Sequence, residues 1–289
     1  MGPVGEQKTK PTQHTVKELM GLGITPDVLV CRSSKPLNDE TRQKLSAFCH
    51  VRPEAVFSTH DVPNIYHVPL MLEEQGFCDI LDIDCDKTGL LAEWRAMAHR
   101  LDELTEEVNI AMVGKYTDLS DAYLSVIKSL QHAALAVERK LNIDWIEASD
   151  LEDANNAEAW GLLRNANGIL VPGGFGDRGI EGKVLAAQYA RENNVPYLGI
   201  CLGLQVATIE FCRNVLGIED ATSTEFDADA ANPAVIFMPE ISKTHLGGTM
   251  RLGSRPTIFQ VEDCVTKRLY GGHDSVDERH RHRYEINPD

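Results

Sequence analysis

The sequence predicts an α/β fold, an open and mostly parallel sheet with flanking helices. Three observations predict it. From residue 109 to 216, short apolar runs alternate with segments whose apolar residues recur at helical spacing. Two of the runs pass directly into glycine-rich turns, one over 168–176 and one over 195–203. Both turns then fall at the C-terminal ends of strands, where such sheets bind ligands.

The elements follow in order. Residues 109–114 form an apolar strand ending in glycine. Residues 121–140 carry Tyr123, Val126, Ile127, Leu130, Ala134 and Leu135 at helical spacing, and 141–148 alternate as a strand. Helices are predicted over 158–166, 180–193 and 202–216, and strands over 169–171 and 197–200. Beyond about residue 218 the pattern is irregular, with strands near 234–237 and 257–260. Ahead of this core, residues 14–80 read as shorter pieces: helices over 14–21, 38–48 and 68–75, and strands over 27–31 and 55–58. That stretch would bury little surface alone. Residues 82–107 are acidic and mostly helical, notably 90–100.

The second turn carries the chemistry. Gly199-Ile200-Cys201-Leu202-Gly203 reads as strand, sharp turn and helix with a thiol at the tip. Flanking glycines permit a strained turn that pushes one side chain outward, as in a nucleophile elbow. The unpaired N–H groups and partial positive charge of a helix start favour a thiolate. An inert Cys packed between strand and helix is the plain alternative; the paired glycines favour a nucleophile. Acyl transfer creates an oxyanion, and the backbone N–H groups of Gly174 and Leu202 are expected to receive it. A leaving amine also needs a proton, hence a His acid/base.

Composition sets the surroundings. The net charge of −16 argues against general nucleic-acid binding. It is uneven: residues 1–44 hold seven Lys/Arg against five Asp/Glu, and the remainder 21 against 39. A locally basic start suits a small anionic ligand. No apolar run approaches the ~20 residues of a membrane helix, and the first residues lack a signal-peptide core. Seven scattered cysteines without a CxxC pair argue against a disulfide framework and against zinc, so no metal site is expected and a reducing, cytoplasmic setting fits.

Pro172-Gly173-Gly174-Phe175-Gly176 followed by Leu198–Gln205 resembles the class I glutamine amidotransferases. Four further segments narrow the resemblance to the CTP synthase family, over nearly the whole chain: Lys8-Thr9-Lys10-Pro11-Thr12-Gln13, Ser223-Thr224-Glu225-Phe226, 247–253, and Glu278–Glu285. The resemblance implies three regions: 1–81, the C-terminal part of an α/β synthetase (amidoligase, P-loop-type) domain; 82–107, a linker; and 108–289, an amidotransferase domain lacking its C-terminal end. It implies that Cys201 hydrolyses glutamine through a thioester. The ammonia would aminate UTP to CTP, driven by ATP with Mg2+ and activated by GTP, in a homotetramer.

The same resemblance assigns residues. Gly174, Leu202, Gly203, Leu204 and Gln205 would contact glutamine, with Glu225 on its ammonium and Arg281 as a further contact. Lys8, Thr9, Lys10, Pro11, Thr12, Gln13 and Lys44 would meet UTP or CTP. His60, Asp61 and Val62 would meet ATP. Thr249 and Arg251 fall in the segment through which GTP acts. The family takes its catalytic His and Glu from a His-Pro-Glu motif, and this sequence has no His-Pro pair; His280 and His282 are the nearest imidazoles in sequence. The string Gly176–Val184 fails the phosphate-loop pattern in spacing and in its last residue. A piece of a longer enzyme with little turnover of its own is therefore expected. Two rivals are an amidotransferase with another acceptor and a non-enzymatic regulatory or assembly module on this scaffold.

Overall fold

The computed structural model describes residues 7–84, 89–115, 120–174, 176–238 and 251–288, with backbone alone at 90, 120, 251 and 252. The chain divides into two compact units, Met1–Thr105 and Glu106–Asp289.

The first unit contains α1 (Lys10–Gly21), β1 (Leu29–Ser33), α2 (Asp39–Cys49), β2 (Val56–His60), α3 (His67–Glu74), α4 (Phe77–Ile80) and α5 (Leu90–Glu103). Pro11 sits in the first turn of α1, where its missing N–H costs nothing. The Lys8–Gln13 segment therefore enters a helix at Lys10, earlier than the pattern over 14–21 suggested. Asn38 caps α2 by accepting from the Thr41 N–H at 2.7 Å, and Asp39 and Glu40 complement the helix start. β1 and β2 pair in parallel from Leu29↔Val56 to Ser33↔His60. Gln75 behaves as a short extra strand beside β2: its amide accepts from the Ser58 N–H and donates to the Ser58 carbonyl, both at 2.9 Å. Val16, Leu29, Leu45, Cys49, Ala55 and Val56 form the core. The helix α5, expected within a connector, packs on α3, with Arg95 paired to Glu73 at 2.9 Å. Cys31 and Cys49 are free thiols, whereas Cys78 is disulfide-bonded.

The second unit opens with β3 (Glu107–Gly114), α6 (Leu124–Ala136), β4 (Lys140–Glu147), α7 (Ala157–Asn165), β5 (Gly168–Val171), α8 (Ile180–Asn193), β6 (Tyr197–Gly199) and α9 (Leu202–Asn214). The four strands form one parallel sheet in the order β4-β3-β5-β6. The inner strands are apolar because helices cover both faces; all four residues of β5 are buried. Ala111, Val113, Ile146, Leu163, Ile169, Val171, Val206 and Ile209 form the core. The helix expected to run to residue 140 stops at Ala136. Glu138 takes a left-handed φ of 55°, which turns the chain so that Lys140 can begin β4.

The chain continues through β7 (Thr222–Ser223), β8 (Pro233–Phe237), β9 (Arg251–Ile258), α10 (Val265–Leu269), β10 (Ser275–His282) and β11 (Tyr284–Ile286). A three-stranded sheet has the order β11-β8-β7, and β9 pairs antiparallel with β10. The strand placed at 257–260 actually ends at Ile258.

Candidate active site

Both glycine turns lie where the alternation placed them, after β5 and after β6 at the same end of the parallel sheet. Cys201 is the N-cap of α9, exposed, with φ 54° and ψ −106°. That conformation is costly for a residue with a Cβ and persists only where its surroundings enforce it. Two glycines enforce it. A Cβ on Gly199 would lie 2.4 Å from the Gly203 carbonyl carbon, and a Cβ on Gly203 would lie 2.0 Å from the Val171 carbonyl oxygen. Strand and helix thus meet backbone to backbone. The Ile200 N–H donates to that same Val171 carbonyl at 2.9 Å, and the Tyr197 hydroxyl donates to the Gly203 carbonyl at 2.8 Å.

The first glycine turn lies beside the sulfur. A Cβ built on Gly173 would sit 3.8 Å from Cys201 Sγ, and one on Gly174 would sit 3.6 Å from Leu202 Cδ2. The Gly176 N–H donates to Glu225 Oε1 at 3.2 Å. Burial pushes the Cys201 thiol up; hydrogen bonding from the Leu202 backbone lowers it and the Glu225 charge raises it further. The helix start thus acts as expected but is outweighed, because the exposed residue is still crowded enough to desolvate its sulfur. Glu225→Gln removes a like charge, so the pH midpoint for alkylation of Cys201 by iodoacetamide should fall. An unchanged or higher midpoint would contradict this placement.

A cleft of about 440 Å³ adjoins the thiol, bordered by Cys201, Leu204, Gln205, Glu278, Arg281, His282 and Tyr284 among others. Gln205 is buried and donates to the Tyr284 carbonyl at 3.2 Å, so its amide anchors β11. Leu202 is buried and Leu204 exposed. Along β10 the half-buried side carries Glu278, His280 and His282, while Arg279 and Arg281 take the exposed side. Arg281 therefore borders the cleft from its open edge. His280 Nδ1 and His282 Nε2 are 3.0 Å apart, and His282 Nδ1 lies 2.9 Å from the Tyr284 carbonyl. A proton on His282 Nδ1 would leave its Nε2 as acceptor for His280. Among the described residues no imidazole is hydrogen-bonded to Cys201.

Sequence reasoning missed Tyr284 and a second cleft of about 340 Å³ behind the first glycine turn, lined by Lys115, Tyr123, Gly173, Gly174 and Lys183. Lys183 is 3% exposed. Burial foremost, then Lys115, holds its ammonium below the ordinary lysine range, with Glu147 pulling the other way. The only sequence signal was its place in the failed phosphate-loop string. Thr249 lies outside the described residues, as does the side chain of Arg251.

In the first unit a cleft of about 210 Å³ is lined by Lys8, Thr9, Thr12, Arg32, Ser33 and Lys35 among others. Thr9 is buried and its hydroxyl accepts from Gln13 Nε2 at 3.0 Å. Lys10, Pro11 and Lys44 are exposed and are not part of this lining. Arg32 and Lys35 join Lys8 as cations that sequence reasoning did not select. His60 ends β2, with its Nδ1 3.4 Å from the Ser58 hydroxyl, and Val62 is half-buried. Asp61 is ion-paired with Arg32.

Comparison with known proteins follows the same two units. The family profile described as Glutamine amidotransferase class-I matches residues 118–289, and that described as CTP synthase N-terminus matches residues 1–84. The chain belongs to the class I glutamine amidotransferase family. Within that class its relatives are CTP synthases. The CTP synthase of Dictyostelium discoideum is 52% identical over all of this chain and 56% of its own length; CTP synthase 1 of Homo sapiens is 52% identical over 98% and 50%. A solved structure, the Trypanosoma brucei CTPS glutaminase domain with bound acivicin, is 43% identical with a TM-score of 0.58, covering 62% of this chain and 68% of that one. The chain spans about half the length of the curated relatives it matches.

Proposed function

We propose that the second unit hydrolyses glutamine at Cys201 and that the chain is part of a CTP-forming enzyme. The observation that carries the reading is the exposed cysteine at positive φ where β6 turns into α9, with Gly173 beside its sulfur. The thiolate attacks the carboxamide carbon. The nitrogen takes a proton from water, the C–N bond breaks, ammonia leaves, and a γ-glutamyl thioester forms. Water then cleaves the C–S bond, giving glutamate and the free thiol. The N–H groups of Gly174 and Leu202 receive the oxyanion, a role supported by the place of Leu202 in the first turn of α9, next to Cys201, and by the first glycine turn beside the sulfur. Glu225 takes the α-ammonium and Arg281 the α-carboxylate, a charge pair that suits a zwitterion. Leu202 to Gln205 border its side chain.

In the first unit, Lys8, Thr9 and Thr12 with Arg32 and Lys35 suit a triphosphate such as that of UTP or CTP, and His60 to Val62 an adenine nucleotide. Mg2+ prefers six oxygens, mostly water and phosphate. Asp61 is already engaged by Arg32, and among the described residues no carboxylate cluster offers a magnesium site. An ion arriving with a nucleotide would therefore be held mainly by phosphate oxygens and water. For the longer enzyme the reading includes ATP-driven transfer of ammonia to UTP, GTP activation, a homotetramer and a cytoplasmic setting.

The test is covalent labelling with a glutamine-mimicking electrophile, read by peptide mass mapping. One adduct is expected at Cys201, and saturating glutamine should slow its formation. Labelling spread evenly over Cys31, Cys212 and Cys264, or indifferent to glutamine, would overturn the reading.

A further inference from the structure

Where α3 meets α5, far along the sequence from either glycine turn, three metal-ligating side chains converge. His67 opens α3, and His99 and Asp102 stand three residues apart on α5, hence on one helix face. One donor atom from each lies within 4.8 Å of the others. We propose that His67, His99 and Asp102 bind a divalent transition-metal cation, best Zn2+, that pins α3 to α5.

Four features of this cluster support it. His67 Nε2 and Asp102 Oδ2 are hydrogen-bonded at 2.6 Å, a pair that opens by roughly 0.7 Å to share a tetrahedral ion. The two imidazoles meet edge to face, with centroids 5.3 Å apart and planes at 68°. Zinc bonds of ~2.0–2.1 Å in a tetrahedron separate ligand atoms by roughly 3.3 Å. The widest pair need close by only about 1.5 Å, within reach of side-chain rotation.

The carboxylate is also held from behind. Asn64 Nδ2 donates to Asp102 Oδ1 at 2.6 Å and to the Ala98 carbonyl at 3.2 Å, while Asn64 Oδ1 accepts from the Tyr66 N–H at 3.0 Å. That occupies one carboxylate oxygen and leaves the other aimed at the imidazoles, as outer-shell groups do around metal ligands. Finally, the two helices are fixed independently of any ion. Trp94 Nε1 donates to the Tyr66 carbonyl at 2.7 Å, and Arg95 pairs with Glu73. The site is thus assembled before the ion arrives, which lowers the cost of binding it.

Two imidazoles and one carboxylate favour Zn2+, Co2+ or Ni2+ over Mg2+ or Ca2+, which take oxygen. Three protein donors leave the remaining position to water. His67 is the most enclosed of the three, and Asp102 remains partly open, so an ion can enter from solvent.

The test uses the whole chain, stripped with a chelator and titrated with Co2+ alone. One equivalent should give the visible bands of low-symmetry Co2+, which Zn2+ should abolish by displacement. His99→Ala and Asp102→Asn should each weaken Co2+ binding on the order of a hundredfold, and Asn64→Ala roughly tenfold. His14→Ala, on α1, should leave it unchanged. If His67→Ala does not fold, the two exposed α5 positions carry the test alone. Absence of the bands at excess Co2+, or bands of equal strength in His99→Ala and Asp102→Asn, would overturn the proposal and leave a metal-free clasp between helices.

Discussion

Gly203→Ala should destabilise the second unit by more than about 4 kcal/mol, a loss confined to a few mechanisms among point substitutions. The added methyl would sit 2.0 Å from the Val171 carbonyl oxygen and 2.9 Å from its carbon. Neither atom belongs to a flexible side chain, so β5 or α9 must move. Movement of that carbonyl breaks its bond from the Ile200 N–H and pulls the two glycine turns apart. Cys201 should therefore lose both its strained φ and its labelling by the glutamine-mimicking electrophile.

Gly161→Ala is the matched control. It lies inside α7 and a Cβ there would meet nothing within 4 Å. The same chemical change should stabilise by roughly 0.5–1 kcal/mol through helix propensity. Urea unfolding of both variants decides the matter. A loss below about 1 kcal/mol at Gly203 would show that the elbow can open without cost and that its glycine is dispensable.

That contrast also shows what a sequence can disclose. Gly199 and Gly203 announce a tight junction because small residues at both ends of a strand-to-helix switch have few other uses, so Cys201 was legible. The sign of its pKa shift was not. The helix start can be read locally, but desolvation depends on what the fold brings near, including Glu225 from 24 positions away. The bounds of β10 were not legible because Glu278, Arg279, His280, Arg281 and His282 are polar on both faces, which erases the alternation that marks a half-buried strand. The overrun past Ala136 has a similar origin. Apolar spacing continues through Val137, and the stop is a left-handed Glu138, a residue that gives no stop signal. The family resemblance assigned Gln205 to glutamine; its added engagement with Tyr284, 79 positions away, needs the folded chain. The approach of His67 to Asp102, 35 positions apart, is tertiary in the same way.

The second large effect belongs to the first unit. Phe57, in β2, is fully buried, and its ring meets Phe77 edge to face with centroids 5.1 Å apart. Phe57→Ala removes that ring contact and leaves a cavity under a two-stranded sheet, whose few neighbours cannot close on it. The expected loss is about 3–5 kcal/mol. A domain of this size commonly has only 5–15 kcal/mol to lose. Hydrogen exchange should report it locally: amides of Leu29–Ser33 and Val56–His60 should lose protection by roughly a hundredfold or more, since each 1.36 kcal/mol is tenfold. Phe57→Leu, nearer in volume, should lose much less. If protection in both strands falls less than about tenfold in Phe57→Ala, the aromatic pair is not what holds β2 in place. The paired Gln75–Ser58 bonds would then be the stronger tie.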